Sequence, residues 1–379
     1  MNTNVLIAPN AFKHSLSAPE AAKAIQLGFE QAEWKGLLRS FPIGDGGTGT
    51  GSLLAAVLKA TLIKTPVENL LGVIELVEWG WCAEEELAII DLSAANGLHK
   101  ITDDQKDPLH LTTYGTGQLI KAALQKKAKE ILLCVGGSAT IDGGIGIAQA
   151  LGVKFIDHRG NEISTPVDLI HLAEIDKSGA DKQLQNCSLK VLCDVNTTFL
   201  GAQNAIEVYG PQKGADTGMQ NLLIRSFKKY NSLLEYYGYE SIAGIEKGGA
   251  AGGVAAGMKT LFNAQLVDGF ETFYTYTGLD KQMPEFQILI TGEGKLDNQT
   301  LEGKGPYAIA RKAQHFNIKT VVVAGVIQED FNIDNSPFYS AYDIISNFKN
   351  GNDFSQTPHF LTELAKRIAN DLKDHLWKH

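Results

Sequence analysis

The feature that most constrains the fold is a buried strand that breaks into glycines and then continues as a helix. Residues 131–135 form an apolar, β-prone run, residues 136–144 have the sequence GGSATIDGG, and a helical pattern continues through Ala148 and Leu151. The backbone N–H groups of such a turn converge on one spot, as does the positive end of the helix dipole, and glycine removes the Cβ atoms that block close approach. The turn therefore predicts an anion site with phosphate as its usual occupant. The alternative is a tight strand-to-helix turn that binds no ligand.

Composition and charge place the chain among ordinary globular proteins. Its 379 residues, 44% hydrophobic and 20% charged, are enough for two domains. A net charge of −9 does not indicate the basic surface with which proteins bind nucleic acid. No apolar run reaches the ~18 residues that a membrane span needs, and the first residues lack the basic segment of a secretion signal. We therefore expect a cytoplasmic enzyme with no nucleic-acid or membrane partner, either a monomer or a homodimer.

The order of strand and helix patterns predicts two domains, one of them discontinuous. Strands alternate with helices near both ends of the chain, as in parallel α/β sheets. In between, residues 62–67, 73–78 and 87–92 have strand patterns joined by short turns, which favours a mixed sheet. We predict one α/β domain from residues 1–64 plus 286–379, and an inserted α/β domain with a mixed sheet from residues 65–285.

Two loops near the start of the chain carry candidate ligand-binding side chains. Lys13 lies between the strand pattern at residues 5–8 and a helix that begins with the capping box Ser17–Glu20. A lysine at the carboxyl edge of a parallel sheet can neutralise a phosphate, or it can be an ordinary solvated side chain. Asp45 lies between Gly44 and Gly46, where a carboxylate can bind a hydroxyl group or Mg²⁺, or simply stabilise a turn.

Three further acids follow strand patterns later in the chain. Asp194 comes directly after the strand pattern at residues 190–193, a favourable position for a catalytic carboxylate. The strand pattern at residues 287–291 runs into the segment 292–300, and Glu293 and Asp297 form a pair of carboxylates near this glycine-rich backbone. The segment 248–257 consists almost entirely of glycine and alanine, which predicts a helix packed closely against a neighbour or a further backbone cradle.

Together these features favour phosphoryl transfer. The reaction needs backbone N–H donors and a lysine for phosphates, carboxylates for Mg²⁺, and a carboxylate that orients the attacking hydroxyl. The Walker A, GxGxxG, HExxH and GxSxG motifs are absent from the positions where they would be functional. A site in the cleft between two domains would allow closure to exclude water.

Several motifs in a fixed order make the sequence resemble the bacterial class I glycerate kinases. These motifs occupy residues 8–18, 44–50, 113–120, 136–144, 193–195, 210–215, 249–253 and 291–306. The resemblance implies ATP-dependent phosphorylation of D-glycerate, with 2-phosphoglycerate favoured over 3-phosphoglycerate as the product. It also implies two α/β domains, a discontinuous Rossmann-like parallel-sheet domain and an inserted mixed-sheet domain, with the active site in the cleft between them.

The roles of individual residues are inferred from their chemistry. We predict Lys13, Asp194 and Asp297 as catalytic residues, with Asp194 and Asp297 also as ligands of Mg²⁺. The predicted cradle for the phosphates of ATP comprises Gly136, Gly137, Ser138, Ala139, Thr140, Asp142, Gly143 and Gly144. The predicted substrate-binding residues are Lys13, Ser15, Asp45, Gly46, Gly47 and Glu293.

This sequence departs from the family pattern at five positions. Asn10 and Ala11 replace a usual Asp-Ser pair, His14 and Thr48 replace a usual Gly and Glu, and Ile141 replaces a usual Asn. Two alternatives therefore stay open: a kinase of a related small hydroxy acid, and a non-catalytic relative that binds a nucleotide or an organic acid. A dinucleotide oxidoreductase is disfavoured because the chain lacks a Rossmann fingerprint.

Overall fold

The computed structural model describes residues 3–13, 15–202, 204–297, 300 and 305–376. The strands are β1 (Val5–Ile7), β2 (Leu38–Ser40), β3 (Thr61–Glu68), β4 (Ile74–Cys82), β5 (Leu87–Asp91), β6 (Glu130–Cys134), β7 (Lys154–Asp157), β8 (Leu172–Asp176), β9 (Ser188–Cys193), β10 (Gln265–Asp268), β11 (Ile288–Leu296), β12 (Lys319–Ile327) and β13 (Ser340–Asp343). The helices are α1 (Ala18–Gln31), α2 (Thr50–Val57), α3 (Leu92–Asn96), α4 (Tyr114–Gln125), α5 (Ile145–Ala150), α6 (Ala205–Tyr209), α7 (Thr217–Tyr236), α8 (Ala250–Phe262), α9 (Gly269–Thr277), α10 (Gly305–Gln314), α11 (Ile344–Asn347) and α12 (Thr357–Leu376).

The chain divides into two compact units. The first unit contains residues 1–45 and 273–379, and the second unit contains residues 46–272. The boundary falls inside the GDGGTGT motif, between Asp45 and Gly46. The domain limits predicted from the sequence, after residue 64 and before residue 286, stay a prediction.

The first unit is built on a five-stranded parallel sheet with the order β13-β12-β11-β1-β2. Helix α1 has Ser17 as its N-cap residue, and the Ser17 side chain forms the predicted capping box with Glu20. Its apolar face packs against α12, and Gly28 allows the approach because a Cβ atom there would lie 2.6 Å from that of Ala365. The predicted parallel α/β sheet is confirmed.

Strand β11 is longer than the strand predicted at residues 287–291, because it continues into the glycine-rich segment that follows. The strand continues to Leu296, and residues 292, 293, 295 and 296 pair with β12. Pairing with a neighbouring strand stabilises this extended backbone despite its glycines, and the neighbour is far away in sequence. Glu293 therefore lies on a strand, and Asp297 follows its end.

The second unit contains the predicted mixed sheet, with the order β10-β9-β6-β5-β4-β3. Strands β5, β6, β9 and β10 are parallel, whereas β3 and β4 form an antiparallel extension at one edge. Because the four parallel strands run in one direction, their carboxyl ends at Asp91, Cys134, Cys193 and Asp268 share one edge of the sheet. This edge is where ligands bind in open α/β sheets.

The glycine- and alanine-rich segment forms a helix with a sharp kink. Helix α8 contains three successive residues, Ala251, Gly252 and Gly253, with left-handed backbone angles. A Cβ atom at Gly252 would lie 2.2 Å from the carbonyl oxygen of Thr140, and one at Gly257 would lie 2.0 Å from that of Gly143. The predicted close packing on a neighbour is confirmed, and the neighbour is the 136–144 turn. Within the described part of the chain, no helix is both long and apolar enough to cross a membrane.

Candidate functional site

The first unit places Asn10 and Asp45 together at the carboxyl end of β1. The side-chain amide of Asn10 donates a hydrogen bond of 2.6 Å to the Asp45 carboxylate. The backbone N–H of Asn10 donates to the Gly292 carbonyl on β11. Gly305, at the start of α10, lies against the pair, because its Cβ would be 3.1 Å from the Asn10 amide nitrogen. The predicted substrate residue Asp45 is thus half-buried and oriented by Asn10.

Glu293 on β11 and Asp297 after its end form a second cluster in the same unit. The Thr300 hydroxyl donates to the Glu293 carboxylate at 2.9 Å, and the Thr300 N–H donates to Asp297 at 3.3 Å. Lys295 forms an ion pair of 3.1 Å with Asp297, whose side chain is 16% exposed. Thr300 therefore holds both predicted carboxylates in place, while Lys295 offsets the charge of one of them.

The loop that contains Lys13 lies beside this cluster. A Cβ atom at Gly294 would be 3.1 Å from the backbone nitrogen of Lys13. The loop is a tight turn in which Phe12 accepts hydrogen bonds from the N–H groups of Ser15 and Leu16. The side chain of Lys13 is exposed and that of Ser15 is partly exposed. His14 and the Gly303–Lys304 part of the last motif lie outside the described residues.

The second unit brings two glycine turns into backbone contact. A Cβ atom at Gly136 would lie 2.2–2.5 Å from backbone atoms of Gly47 and Thr48, and the Gly136 N–H donates to the Gly46 carbonyl at 3.1 Å. Gly137 has φ +75° and lies against the Thr48 hydroxyl. Only glycine permits contacts this close. The predicted substrate and nucleotide loops thus form one continuous backbone surface in this unit.

The end of β9 meets the first of these turns, the one that contains Gly46 and Gly47. A Cβ atom at Gly46, which has φ +94°, would lie 3.3 Å from the backbone nitrogen of Asp194. The Asp194 side chain is exposed at this edge of the sheet. Lys247 extends along the same edge, with its ammonium group 3.2 Å from the Asn196 side-chain oxygen and 3.8 Å from the Asp268 carboxylate. The exposed Asp194 carboxylate and Lys247 therefore lie at the sheet edge where the end of β9 contacts the Gly46–Gly47 turn.

Asp142 lies inside the second unit and not on its surface. Its carboxylate is fully buried and accepts hydrogen bonds from the backbone N–H groups of Thr113, Gly144 and Gly146 and from the Thr113 hydroxyl. Burial raises the pKa of this carboxyl group, and the hydrogen bonds from Thr113 and the two glycines oppose that shift. The amide groups at the start of α5 are thus used by Asp142, so any phosphate would contact the earlier part of the turn.

That earlier part includes an exposed residue and a buried hydroxyl. Gly137 is exposed, whereas Ser138 is only 5% exposed and Ala139 is fully buried. The Ala139 N–H donates to the Asn96 carbonyl, and the Gly143 N–H donates to the Gly252 carbonyl. The accessible backbone of the predicted cradle is therefore concentrated around Gly137.

Lys213 is a buried residue of this site that the sequence prediction missed. It is 3% exposed, and its ammonium group donates to the Ser138 hydroxyl at 2.7 Å and to the Thr140 carbonyl at 2.8 Å. Burial lowers its pKa to about 7, and the charge of Asp142 opposes that shift. The only sequence signal was a single lysine in the GPQKGA motif, because its partners are more than seventy residues away.

Asp91 is a second buried group that the prediction missed. Its carboxylate lies at the end of β5 and accepts hydrogen bonds from the N–H groups of Gly49 and Gly51 and from the N–H and hydroxyl of Ser93. Burial raises its pKa to about 6 against these hydrogen bonds. Because Gly49 and Gly51 flank the start of α2, Asp91 fixes the glycine turn that contains Gly46 and Gly47.

Of the positions that depart from the family pattern, Thr48 and Ile141 lie in the second unit. Thr48 is exposed and contacts Gly137, so the replacement places a short hydroxyl side chain at the accessible part of the turn. Ile141 is 1% exposed and packs in a hydrophobic cluster with Phe199 and Phe227. The isoleucine thus contributes to the core and supplies no polar group.

Comparison with known proteins gives one consistent family. The model of the glycerate kinase family matches residues 5–373. Glycerate kinase of Bacillus subtilis is 37% identical over 329 residues, which cover 86% of each chain. Glycerate 2-kinase of Escherichia coli is 35% identical over 330 residues, which cover 87% of each chain. A crystal structure from Salmonella typhimurium LT2, provisionally described as glycerate kinase 2, matches with a TM-score of 0.81 at 32% identity and covers 100% of both chains.

Proposed function

The chain belongs to the glycerate kinase family, and on that premise we propose that it transfers the γ-phosphoryl group of ATP to the 2-hydroxyl group of D-glycerate. The products are ADP and 2-phosphoglycerate. The observation that supports this function most directly is the backbone contact of the Gly46–Gly47 and Gly136–Gly137 turns beside the exposed Asp194 carboxylate. Such an arrangement supplies N–H donors for phosphate oxygens and an acid for a metal ion or a hydroxyl group.

The phosphates of ATP are assigned to the accessible turn around Gly137. Glycine backbone there allows close approach, and the buried ammonium group of Lys213 adds positive charge next to Ser138 and Thr140. Asp142 stabilises this turn by accepting hydrogen bonds from the N–H groups of Gly144 and Gly146, which would otherwise be unpaired at the start of α5. In this assignment Asp142 orders the cradle and does not contact the nucleotide.

The acids present fit a magnesium ion that is bound mainly through ATP. Among the described residues, no group of three or more His, Cys, Asp or Glu side chains is arranged to hold a metal ion. Mg²⁺ in kinases is typically held by one or two carboxylates, phosphate oxygens and water. The exposed Asp194 is therefore enough as the carboxylate ligand from the second unit. Asp297 is the carboxylate assigned to this role on the first unit. The ion would neutralise charge on the phosphates.

D-Glycerate binding is assigned to residues of the first unit. The exposed Lys13 would pair with the carboxylate of glycerate or with the transferring phosphate, and Ser15 and Asp45 would bind its hydroxyl groups. Glu293, held by Thr300, would orient the hydroxyl group that is phosphorylated. A carboxylate near that hydroxyl group accepts its proton as the bond to phosphorus forms.

A second candidate substrate class is favoured by Asn10. The Asn10 amide donates a hydrogen bond to the Asp45 carboxylate, which an ionised aspartate at position 10 could not do. The Asp45 carboxylate that a substrate meets therefore differs from the one in relatives with aspartate at that position. A related small hydroxy acid is therefore the alternative acceptor. Loss of turnover with retention of nucleotide binding is the other alternative.

A coupled assay of ADP release separates these possibilities. We would compare D-glycerate with L-glycerate, glycolate and D-lactate at saturating ATP and Mg²⁺. The proposal predicts the highest kcat/KM for D-glycerate. A higher value for another acid would reassign the substrate. ADP release that no acid raises above the background of ATP hydrolysis would refute the kinase proposal, and calorimetry with ATP would then identify a non-catalytic binder.

A further inference from the structure

Lys213 is an unusual residue because its charged end is completely enclosed. It lies in a short turn, Pro211–Lys213, between Gly210 and Gly214, and is 3% exposed. Lysine is almost never buried without a compensating partner, since an enclosed ammonium group loses its hydration. Among the described residues Lys213 forms no ion pair, and its two hydrogen bonds go to Ser138 and Thr140.

Both partners belong to the turn that is assigned to phosphate. The ammonium group donates to the hydroxyl of Ser138 and to the carbonyl of Thr140, the residues that follow Gly137. Two of its three N–H donors are thus used, and one is left for a further acceptor. The hydroxyl of Thr140 is also buried and has no hydrogen-bond partner in the described structure. The turn therefore holds a cation and an unsatisfied hydroxyl group, which together favour an anionic ligand.

No acid among the described residues forms an ion pair with the ammonium group. Asp142 is the acid whose charge acts on it, but the Asp142 oxygens accept their hydrogen bonds from Thr113, Gly144 and Gly146. Tyr230 of α7 presents a buried hydroxyl near Asp142. Lys106 lies against Gly214, and its ammonium group pairs with Asp103 at 2.6 Å. The positive charge of Lys213 is therefore available to a ligand at the turn.

We propose that Lys213 is a positioning residue for the nucleotide: its buried ammonium group fixes Ser138 and Thr140 and supplies the charge that lets the turn bind the phosphates of ATP. This inference rests on the proposed kinase function. A neutral Lys213 would carry no positive charge and would form weaker hydrogen bonds to Ser138 and Thr140. The affinity for ATP should therefore depend on whether Lys213 is protonated.

This dependence falls near neutral pH. Burial lowers the pKa of Lys213 to about 7 in the ligand-free protein. A polyanion at the turn favours the protonated form, so by linkage protonation favours binding of the polyanion. The affinity for ATP should therefore decrease as the pH rises through this range.

The test compares the Kd for MgATP of the wild type and Lys213→Met at about pH 6 and about pH 8.5, by calorimetry. We expect the variant to bind about tenfold more weakly at the lower pH and within about twofold of the wild type at the higher pH. The titration of ATP itself affects both proteins equally. A merely structural role of Lys213 would give the same ratio at both pH values, and that result would overturn the proposal.

Two further variants make the result specific. Lys177→Met removes another partly buried lysine of the second unit, whose ammonium group donates to the Leu261 carbonyl, and should leave the Kd for MgATP unchanged. Ser138→Ala keeps the ammonium group but removes one acceptor, so the midpoint of the pH dependence should move to lower pH. An unshifted midpoint would contradict the proposal even if Lys213→Met does not fold.

Steady-state kinetics separate this inference from the proposed function. Lys213→Met should raise the KM for ATP and leave the KM for D-glycerate unchanged. A wild-type protein that releases ADP with D-glycerate, together with an unaffected Lys213→Met variant, would refute the role of Lys213 alone. A wild type that neither binds ATP nor turns over would refute both.

Discussion

The contact between the two glycine turns can be tested by adding one methyl group. In Gly136→Ala the new Cβ would lie 2.2 Å and 2.4 Å from backbone carbons of Gly47 and 2.5 Å from the Thr48 nitrogen. An ordinary contact of a Cβ atom begins at 3.4 Å. The atoms it meets belong to backbone and cannot rotate away, so the turns must move apart by about 1 Å. A displacement of that size in an active site can cost about 10²-fold in turnover.

The same substitution should lower the free energy of unfolding by an amount that the fold tolerates, although it lowers kcat/KM strongly. Overpacking by one methyl group typically lowers the free energy of unfolding by about 1–3 kcal/mol, which a protein of this size can tolerate. We therefore expect Gly136→Ala to remain folded and to lose about 10²-fold in kcat/KM for D-glycerate. Urea unfolding and the coupled ADP-release assay measure the two quantities.

Gly244→Ala is the matched control. Gly244 lies in the same unit, is exposed, and has nothing within 4 Å of the position of an added Cβ. This variant should keep the activity and stability of the wild type. A Gly136→Ala enzyme with the kcat/KM of Gly244→Ala would show that the contact between the turns is not part of the active site.

Asp194→Asn and Asp297→Asn should each lower kcat by about 10²-fold or more while the circular dichroism spectrum stays unchanged, and near-normal turnover would remove that residue from the mechanism. Asp142→Asn should lower the free energy of unfolding by about 3 kcal/mol in a urea titration, because an amide cannot accept all the hydrogen bonds that this buried carboxylate accepts; a loss below about 0.5 kcal/mol would contradict its structural role. Asp91 has a pKa raised to about 6 from 3.8, so the native state binds more protons between these values and the free energy of unfolding should fall as the pH rises through them. Asp91→Asn should lose this part of the pH dependence, and equal dependence in both proteins would refute the assignment.

Local features of the sequence predicted much of the fold. The capping box of Ser17 and Glu20 involves residues three positions apart, so the start of α1 could be recognised without tertiary information. The apolar run at residues 131–135 predicted the buried strand β6, and short strand patterns between residues 62 and 92 predicted the mixed sheet. In each case the signal is periodicity or a turn within a few residues.

Features that depend on distant partners could not be predicted. Strand β11 extends through its glycines because β12 pairs with it. Asp142 is directed inward by Thr113, which is 29 residues away in sequence. Lys213 is held in its buried position by a hydrogen bond to Ser138, which is 75 residues away in sequence. The ligand site at the motif around Asp142 stays a prediction, and the orientation of a side chain within a turn is decided by groups that the turn itself does not contain.

The most direct test of the proposed function is ³¹P NMR of a reaction with D-glycerate, ATP and Mg²⁺. Transfer to the 2-hydroxyl group predicts ADP and a new phosphomonoester resonance that is a doublet, because the phosphate is coupled to the single proton on C2. A triplet would place the phosphate on C3 and would contradict the assigned position. Unchanged ATP, or inorganic phosphate without a phosphomonoester, would contradict phosphoryl transfer to glycerate itself.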